Sequence, residues 1–293
     1  MSRPEPSSVP AGAQVPRPAA SVVLLRDAAD GPEVLMLKRH GESDVHANAY
    51  VFPGGKVDAA DAALAVDAHL DSPLAQLHLQ LGEAGVDAAT AAGLHVAALR
   101  ETFEESGLLL ALGASPRQLA EAAERLASGM PFNAMLAALG LRLQSSALVP
   151  WSRWITPVRG PNKRFDTRFF AARAPAQGVA RHDGRETTES AWLRPRRALE
   201  GYWEGRMMLA APQILTLAHL ARFASVAAAL DDARLRPPSL IEPHLMREGE
   251  WEVMCYPGDA AHPIQVRAIP GPTRLTVRDR RAEPEGGFEG FFA

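Results

Sequence analysis

A glycine pair at a turn, Phe52-Pro53-Gly54-Gly55-Lys56, and a glutamate-rich segment, Arg100-Glu101-Thr102-Phe103-Glu104-Glu105-Ser106-Gly107-Leu108, constrain this chain more than any other stretch. On a helix, residues three or four positions apart share a face, so Glu101, Glu104 and Glu105 converge on one patch. Two carboxylates about 4 Å apart repel by roughly 4 kcal/mol at an effective dielectric near 20, so the patch either faces water or surrounds a cation. Gly107 follows the segment and the Gly-Gly turn precedes it, which fits a site more than a solvated face. Val96, Leu99 and Phe103, at i, i+3 and i+7, form a core-facing stripe and leave the glutamates on another face.

Around this pair, Ala20 to Leu25 and Val34 to Arg39 are short apolar runs joined by a turn-rich connection, which predicts a strand hairpin, with a third strand at Ala49 to Phe52. Residues 62–99 are alanine-rich and helical in pattern. The expected pieces are Ala62 to Leu70, Pro73 to Leu81 and a helix capped by Asp87 that runs into Arg100-Glu101. Ser115-Pro116-Arg117-Gln118 is a capping-box start for a helix closed by Gly129, and a second helix covers Pro131 to Leu139. Strands resume at Trp154 to Pro157, at Phe165 to Ala172 and around Ala191-Trp192-Leu193. One long helix is expected from Pro212 to Leu230. Beyond Arg236, short alternating pieces at 250–254, 264–267 and 274–278 predict a small antiparallel β appendage.

A formal charge of −3 gives no electrostatic reason to expect polymeric nucleic acid or a membrane as partner, and no apolar run approaches the length of a bilayer span. Cys255 is the single cysteine, which excludes a disulfide or a thiolate cluster within one chain and fits a reducing cytoplasm. The nine histidines show no H-E-x-x-H or H-x-H spacing, so zinc chemistry has no support. Hard oxygen ligands in the glutamate patch suit Mg2+ or Mn2+.

Gly55 followed by Arg100-Glu101-x-x-Glu104-Glu105-x-Gly107-Leu108 resembles the Nudix box, G-x5-E-x7-R-E-U-x-E-E-x-G-U. The glutamate expected six residues after Gly55 is Asp61, position 102 is Thr102 instead of a bulky aliphatic, and the seven-residue spacer has become the 38 residues from Ala62 to Leu99. A box split in this way is similar to that of the motif-19 type of coenzyme A diphosphatase. The chain also resembles that branch at Trp151 to Pro157, Arg164 to Phe170, Ala211 to Gln213 and Ala221 to Ser225.

The resemblance implies a Nudix-type α/β/α sandwich with a mixed sheet, a helical insertion within the box and a small β-rich C-terminal extension. The expected organisation is a disordered leader over 1–18, a Nudix domain over 19–235 with the insertion at 62–99, and the extension over 236–293. It also implies Mg2+- or Mn2+-dependent hydrolysis of a diphosphate: coenzyme A or acyl-coenzyme A, cut to 3′,5′-ADP and (acyl-)4′-phosphopantetheine. ADP-ribose, dinucleotides and nucleotide sugars remain open, as does a non-catalytic Nudix-fold binding module whose appendage recruits a partner. The implied metal ligands are Glu101, Glu104, Glu105 and the carbonyl of Gly54. Gly184 to Trp192 resembles a loop that in relatives donates a further ligand or general base, here Glu186 or Glu189. Arg100 is expected to orient a carboxylate, with a phosphate contact as the alternative. Asp61 either joins the site or is supplanted by another acid. Arg39, Lys163, Arg164 and Arg168 are candidate substrate contacts, and the last three read equally as surface charges. The ending Gly290 to Ala293 is not of the Ser-Lys-Leu type, so a cytoplasmic location is expected. A homodimer is compatible with the insertion and the appendage as interface material.

Overall fold

The computed structural model describes residues 15–41, 48–158, 163–178, 180–182, 184, 186–279 and 281–293. The first hairpin is Arg17–Ala28 (β1) and Gly31–Arg39 (β2), antiparallel and closed at Ala28 opposite Gly31. Ala20, Val22 and Leu24 enter the core on one face of the sheet, whereas Val23 and Leu25 enter the core on the other. A strand covered on both faces reads as a continuous apolar run, and that is the pattern of this segment. Residues 1–14 of the expected leader lie outside the described residues, and its last two already belong to β1.

Tyr50–Val51 (β3) pairs with β2, and Gly54–Lys56 (β4) pairs with β1. Phe165–Arg173 (β6) runs parallel to β1 on its other side. Val149–Ile155 (β5) is antiparallel to β6, Ser239–Ile241 (β8) is parallel to β5, and Thr187–Leu193 (β7) pairs with β2. The result is the expected mixed sheet, here of eight strands.

On the face of Ala20 and Val22, Ala59–Ala62 (α1) leads into the insertion, where Val66–His69 (α2) and Leu74–Leu81 (α3) precede Ala88–Ser106 (α4). Pro116–Ala127 (α5) and Phe132–Leu139 (α6) complete that layer. The single helix expected over 62–70 is therefore two one-turn helices. Asp61 accepts the Asp58 N–H at 2.8 Å, which starts α1 early, and the extended backbone of Ala65 restarts the chain as α2.

On the opposite face lie Pro195–Trp203 (α7), Ala211–Leu220 (α8) and Val226–Leu235 (α9). The long helix expected over 212–230 breaks between α8 and α9. The N–H groups of Arg222 and Phe223 turn back to the carbonyls of His219 and Leu220, and the Ser225 hydroxyl caps α9 by accepting from the Ala228 N–H at 3.2 Å. Apolar spacing continues across the break, so periodicity alone did not show it.

Beyond α9, His244–Glu248 (β9), Trp251–Cys255 (β10), Arg274–Arg278 (β11) and Arg281–Glu283 (β12) form the expected small antiparallel sheet. The strand expected at 264–267 is irregular. Its apolar residues Ile264 and Val266 are 48% and 78% exposed, so no burial rewards pairing them, and the Ile264 N–H bonds to His262 Nδ1 within the loop at 3.0 Å. Tyr256, Leu275, Ala282 and Phe291 of this extension pack into the same core as α7 to α9, and β8, beyond the expected boundary at 235, belongs to the main sheet. Among the described residues no helix is long and apolar enough to cross a membrane.

Candidate active site

Asp87 caps α4 by accepting the Thr90 N–H at 2.7 Å, and Gly107, at φ 71°, ends it with its N–H on the Phe103 carbonyl. The helix thus runs unbroken from the insertion through the glutamates, as its sequence pattern predicts. Arg100 is the hub of its open face. Its Nε and Nη2 donate to the two carboxylate oxygens of Asp61 at 2.8 and 3.0 Å. Its Nη1 donates to Glu101 Oε1 at 2.8 Å and to Glu104 Oε2 at 3.0 Å, and Nη2 also donates to the Lys56 carbonyl at 3.0 Å. All five guanidinium hydrogens are engaged. Burial alone would weaken the cation, but the Asp61 bonds and the charges of Glu101, Asp61 and Glu104 hold it protonated. Asp61, only 2% exposed, therefore fixes Arg100, and Arg100 in turn orients Glu101 and Glu104.

Glu105 points the other way, toward the glycine turn, where the Gly54 N–H donates to its Oε2 at 2.9 Å. The two glycines are required for different reasons. A Cβ on Gly54 would lie 2.5 Å from the Ala20 carbonyl oxygen, whereas one on Gly55 would lie 2.5 Å from the Glu101 carboxylate carbon. Gly54 lets β4 close on β1, and Gly55 makes room for the acid.

Burial pushes the Glu105 carboxyl up to about 8 and Glu101 up to about 7; the charges of Glu101 and Glu186 add to the rise of Glu105, and those of Glu104 and Glu186 to that of Glu101. For Glu101, Arg100 opposes the rise, and for Glu105 the Gly54 N–H does so. Glu104 is raised in the same direction by burial. Arg100 counters the charge of Glu101 and Glu104, and the charge of Arg39 acts the same way on Glu105, but burial outweighs both.

Of the two loop acids, Glu186 is the one whose charge reaches Glu101 and Glu105, and its carbonyl accepts the His40 N–H at 2.8 Å. Glu189 lies opposite Lys38 in the β2–β7 register, forms an ion pair with it at 3.6 Å and contacts Tyr50, whose hydroxyl is pushed up to about 12 by burial and by this carboxylate. Lys38 alternates with Leu37, which packs on the α4 face, so Glu189 belongs to the other side of the sheet.

Arg39 ends β2 on the α4 face, and its charge acts on Glu105. Its Nε is buried without a hydrogen bond, and its guanidinium forms no ion pair among the described residues. The other basic candidates are not brought to the glutamates. Arg168 donates to both oxygens of Glu83, at 3.0 and 2.6 Å, in a network with Asp166 and Arg153. Arg164 bonds the Thr156 carbonyl and Glu242, tying β6 to the chain after β8. Lys163 is exposed just ahead of β6. Asn133, at the start of α6, bonds the Ala60 carbonyl at 2.7 Å and borders the Arg100 cluster, although nothing in its sequence context marks it.

The donor set fits a hard divalent cation in chemistry. Three carboxylates, each with one oxygen held by Arg100 or Gly54, keep Glu101 Oε2, Glu104 Oε1 and Glu105 Oε1 without hydrogen bonds among the described residues. Among those residues no group of three or more His, Cys, Asp or Glu side chains is already gathered as a metal-holding cluster. Glu101 and Glu104 lean on Arg100 while Glu105 leans on Gly54.

A mixed sheet between helical layers, with a glycine turn and an Arg-Glu helix meeting over it, defines a Nudix-type sandwich. The profile of the NUDT19 Nudix domain matches residues 78–220, which include α4 but not Gly54 and Gly55. The acyl-coenzyme A diphosphatase NUDT19 of Gallus gallus is 31% identical over 265 residues, covering 72% of this chain and 69% of that protein. The Xenopus laevis protein of the same name is 29% identical over 231 residues, covering 66% of this chain and 61% of its own length. A solved Nudix hydrolase from Alicyclobacillus acidocaldarius superposes with a TM-score of 0.59 at 29% identity, over 74% of this chain and 96% of that one. The chain belongs to the Nudix hydrolases of the NUDT19 type.

Proposed function

We propose that this chain is a divalent-cation-dependent diphosphatase that cleaves coenzyme A or its thioesters into 3′,5′-ADP and the (acyl-)4′-phosphopantetheine half. The observation that carries this reading is the set of oxygens on Glu101, Glu104 and Glu105 that are open among the described residues, with Arg39, whose buried Nε has no hydrogen bond among those residues, acting on Glu105. The choice of substrate follows the Gallus gallus and Xenopus laevis relatives, which are acyl-coenzyme A diphosphatases by name. Glu101, Glu104, Glu105 and the Gly54 carbonyl would hold Mg2+ or Mn2+, which when bound supplies charge neutralisation for the diphosphate and activation of the attacking water. Arg39 then binds a phosphate oxygen, a partner its buried Nε lacks among the described residues. Glu186 accepts a proton from the water as it attacks phosphorus, and the bridging P–O bond breaks with the electron pair leaving on the departing phosphate. Arg100, locked by Asp61, keeps Glu101 and Glu104 aimed at the cation without contacting the reacting atoms. A cytoplasmic location belongs to the same reading and fits a buried, unpaired Cys255.

The test is a panel of coenzyme A, acyl-coenzyme A, ADP-ribose, NADH and diadenosine polyphosphates, each with Mg2+ or Mn2+ and analysed by chromatography. The expected result is metal-dependent release of 3′,5′-ADP from coenzyme A, lost in Glu105→Gln. Turnover of ADP-ribose alone would move the substrate. No turnover of any member would leave a binding module.

A further inference from the structure

A cavity of about 280 Å3 opens where α1 faces the start of α6, bordered by Asp58, Ala60, Arg100, Glu104, Phe132 and Asn133. It shares Arg100 and Glu104 with the glutamate cluster, so it is continuous with the candidate active site. Its volume is just under the roughly 300–1,000 Å3 of a complete small-molecule site, which suits part of a substrate.

Its charged surface is acidic, and its side chains offer mainly acceptors. The five Arg100 hydrogens are taken, and the Asn133 amide N–H donates to the Ala60 carbonyl. What remains is Asn133 Oδ1 with its second amide hydrogen, Glu104 Oε1 and the Asp58 carboxylate, whose side chain is 68% exposed. Such a surface repels a phosphate. Its other walls, Ala60 and the buried Phe132, are apolar and give nothing to a hydrated cation. A neutral chain that carries both N–H donors and methyl groups satisfies the two kinds of wall together.

We propose that this cavity receives the uncharged, amide-bearing arm of the substrate, and that Asn133 and Phe132 select for it. The inference rests on the diphosphatase reading above and deepens it. The pantetheine arm of coenzyme A has two amide N–H groups, a hydroxyl and a geminal dimethyl group, whereas the ribose of ADP-ribose has hydroxyls without methyls. With the arm between α1 and α6, the diphosphate lies over the glutamates and reaches Arg39, and the doubly phosphorylated, strongly anionic 3′,5′-ADP half is kept away from Asp58. Specificity then comes from α6, outside the split box.

Calorimetric titration of the full chain with D-pantetheine, which has no phosphate, and with adenosine 3′,5′-bisphosphate tests this without turnover. Both should bind the wild type without competing. Asn133→Leu, which removes the acceptor, and Phe132→Trp, which fills the cavity, should each weaken pantetheine about tenfold relative to the bisphosphate, the size expected for losing one hydrogen bond or one fitted contact. A wild type that ignores pantetheine at millimolar concentration, or normally melting variants that bind it as the wild type does, overturns the proposal. Hydrolysis of coenzyme A without pantetheine binding rejects the cavity alone. Pantetheine binding with no hydrolysis of any diphosphate rejects the diphosphatase reading and upholds the cavity.

Discussion

Asp61 grips Arg100 along one edge of its guanidinium, at 2.8 and 3.0 Å, and both are buried. The pair joins α1 to α4 across 39 residues of sequence. Removing one partner of a buried ion pair strands the other, at a cost of about 3–5 kcal/mol. Arg100→Lys retains the charge but has one ammonium for acceptors that a planar fork now serves. Thermal melting should show a clear loss for this variant, and turnover should fall roughly 10–100-fold as Glu101 and Glu104 lose their orientation. An Arg100→Lys protein as stable and active as wild type would refute this role.

The adjacent glycines separate folding from function. Gly54→Ala places a methyl against the β1 backbone and should destabilise by about 1–3 kcal/mol, read as a shifted denaturation midpoint. Gly55→Ala meets the end of the flexible Glu101 side chain, which can swing aside. It should melt nearer to wild type while losing most of its metal-dependent turnover.

Cation binding should be visible as stability. Mg2+ or Mn2+ bound to the native state alone raises the melting temperature, and the rise should grow with cation concentration. Glu105→Gln keeps the shape of a buried acid pushed up to about 8 but removes the charge. Without metal at pH 8 it should melt at or above wild type, and its response to cation should largely vanish, with turnover down roughly 100-fold or more.

The two loop acids predict opposite outcomes. Glu186→Gln should depress turnover, because its charge lies with Glu101 and Glu105. Glu189→Gln, whose acid is paired with Lys38 on the other face of the sheet, should leave turnover within about twofold and lower the Tyr50 hydroxyl pKa, measurable by ultraviolet titration.

Acid should act through the buried histidines. His95 and His219 are each lowered to about 4 by burial, so both are neutral in the native state at neutral pH. A depressed histidine contributes stability that is present above its ordinary value of 6.5 and is lost as the pH falls toward 4. His219 packs against Trp151 with ring centroids 4.8 Å apart. His219→Phe keeps that contact and should flatten part of the fall in melting temperature between those pH values.

Much of the fold follows from local pattern. The doubly buried β1, the capping-box start of α5 and the run of α4 from Asp87 to Gly107 each have a residue-level signal that the three-dimensional arrangement obeys. The misplaced elements had signals that competed. The apolar spacing of 212–230 outlasted the helix because Ser225 supplied a new cap, and the alternation at 264–267 found no surface to bury.

By itself, the sequence determined the family of this protein: an Arg-Glu segment with three acids within five positions, closed by a glycine and opposed by a glycine turn, carries the Nudix pattern. Only the tertiary structure decided the allocation of partners. It gave Asp61 to Arg100, Arg168 to Glu83 and Arg164 to Glu242, brought the charge of Arg39 to bear on Glu105, and set α6 against α1 to shape the cavity. The reason is physical. A helix period places neighbours three or four residues apart, but which basic group meets which acid across 39 to 85 residues depends on strand register and layer packing.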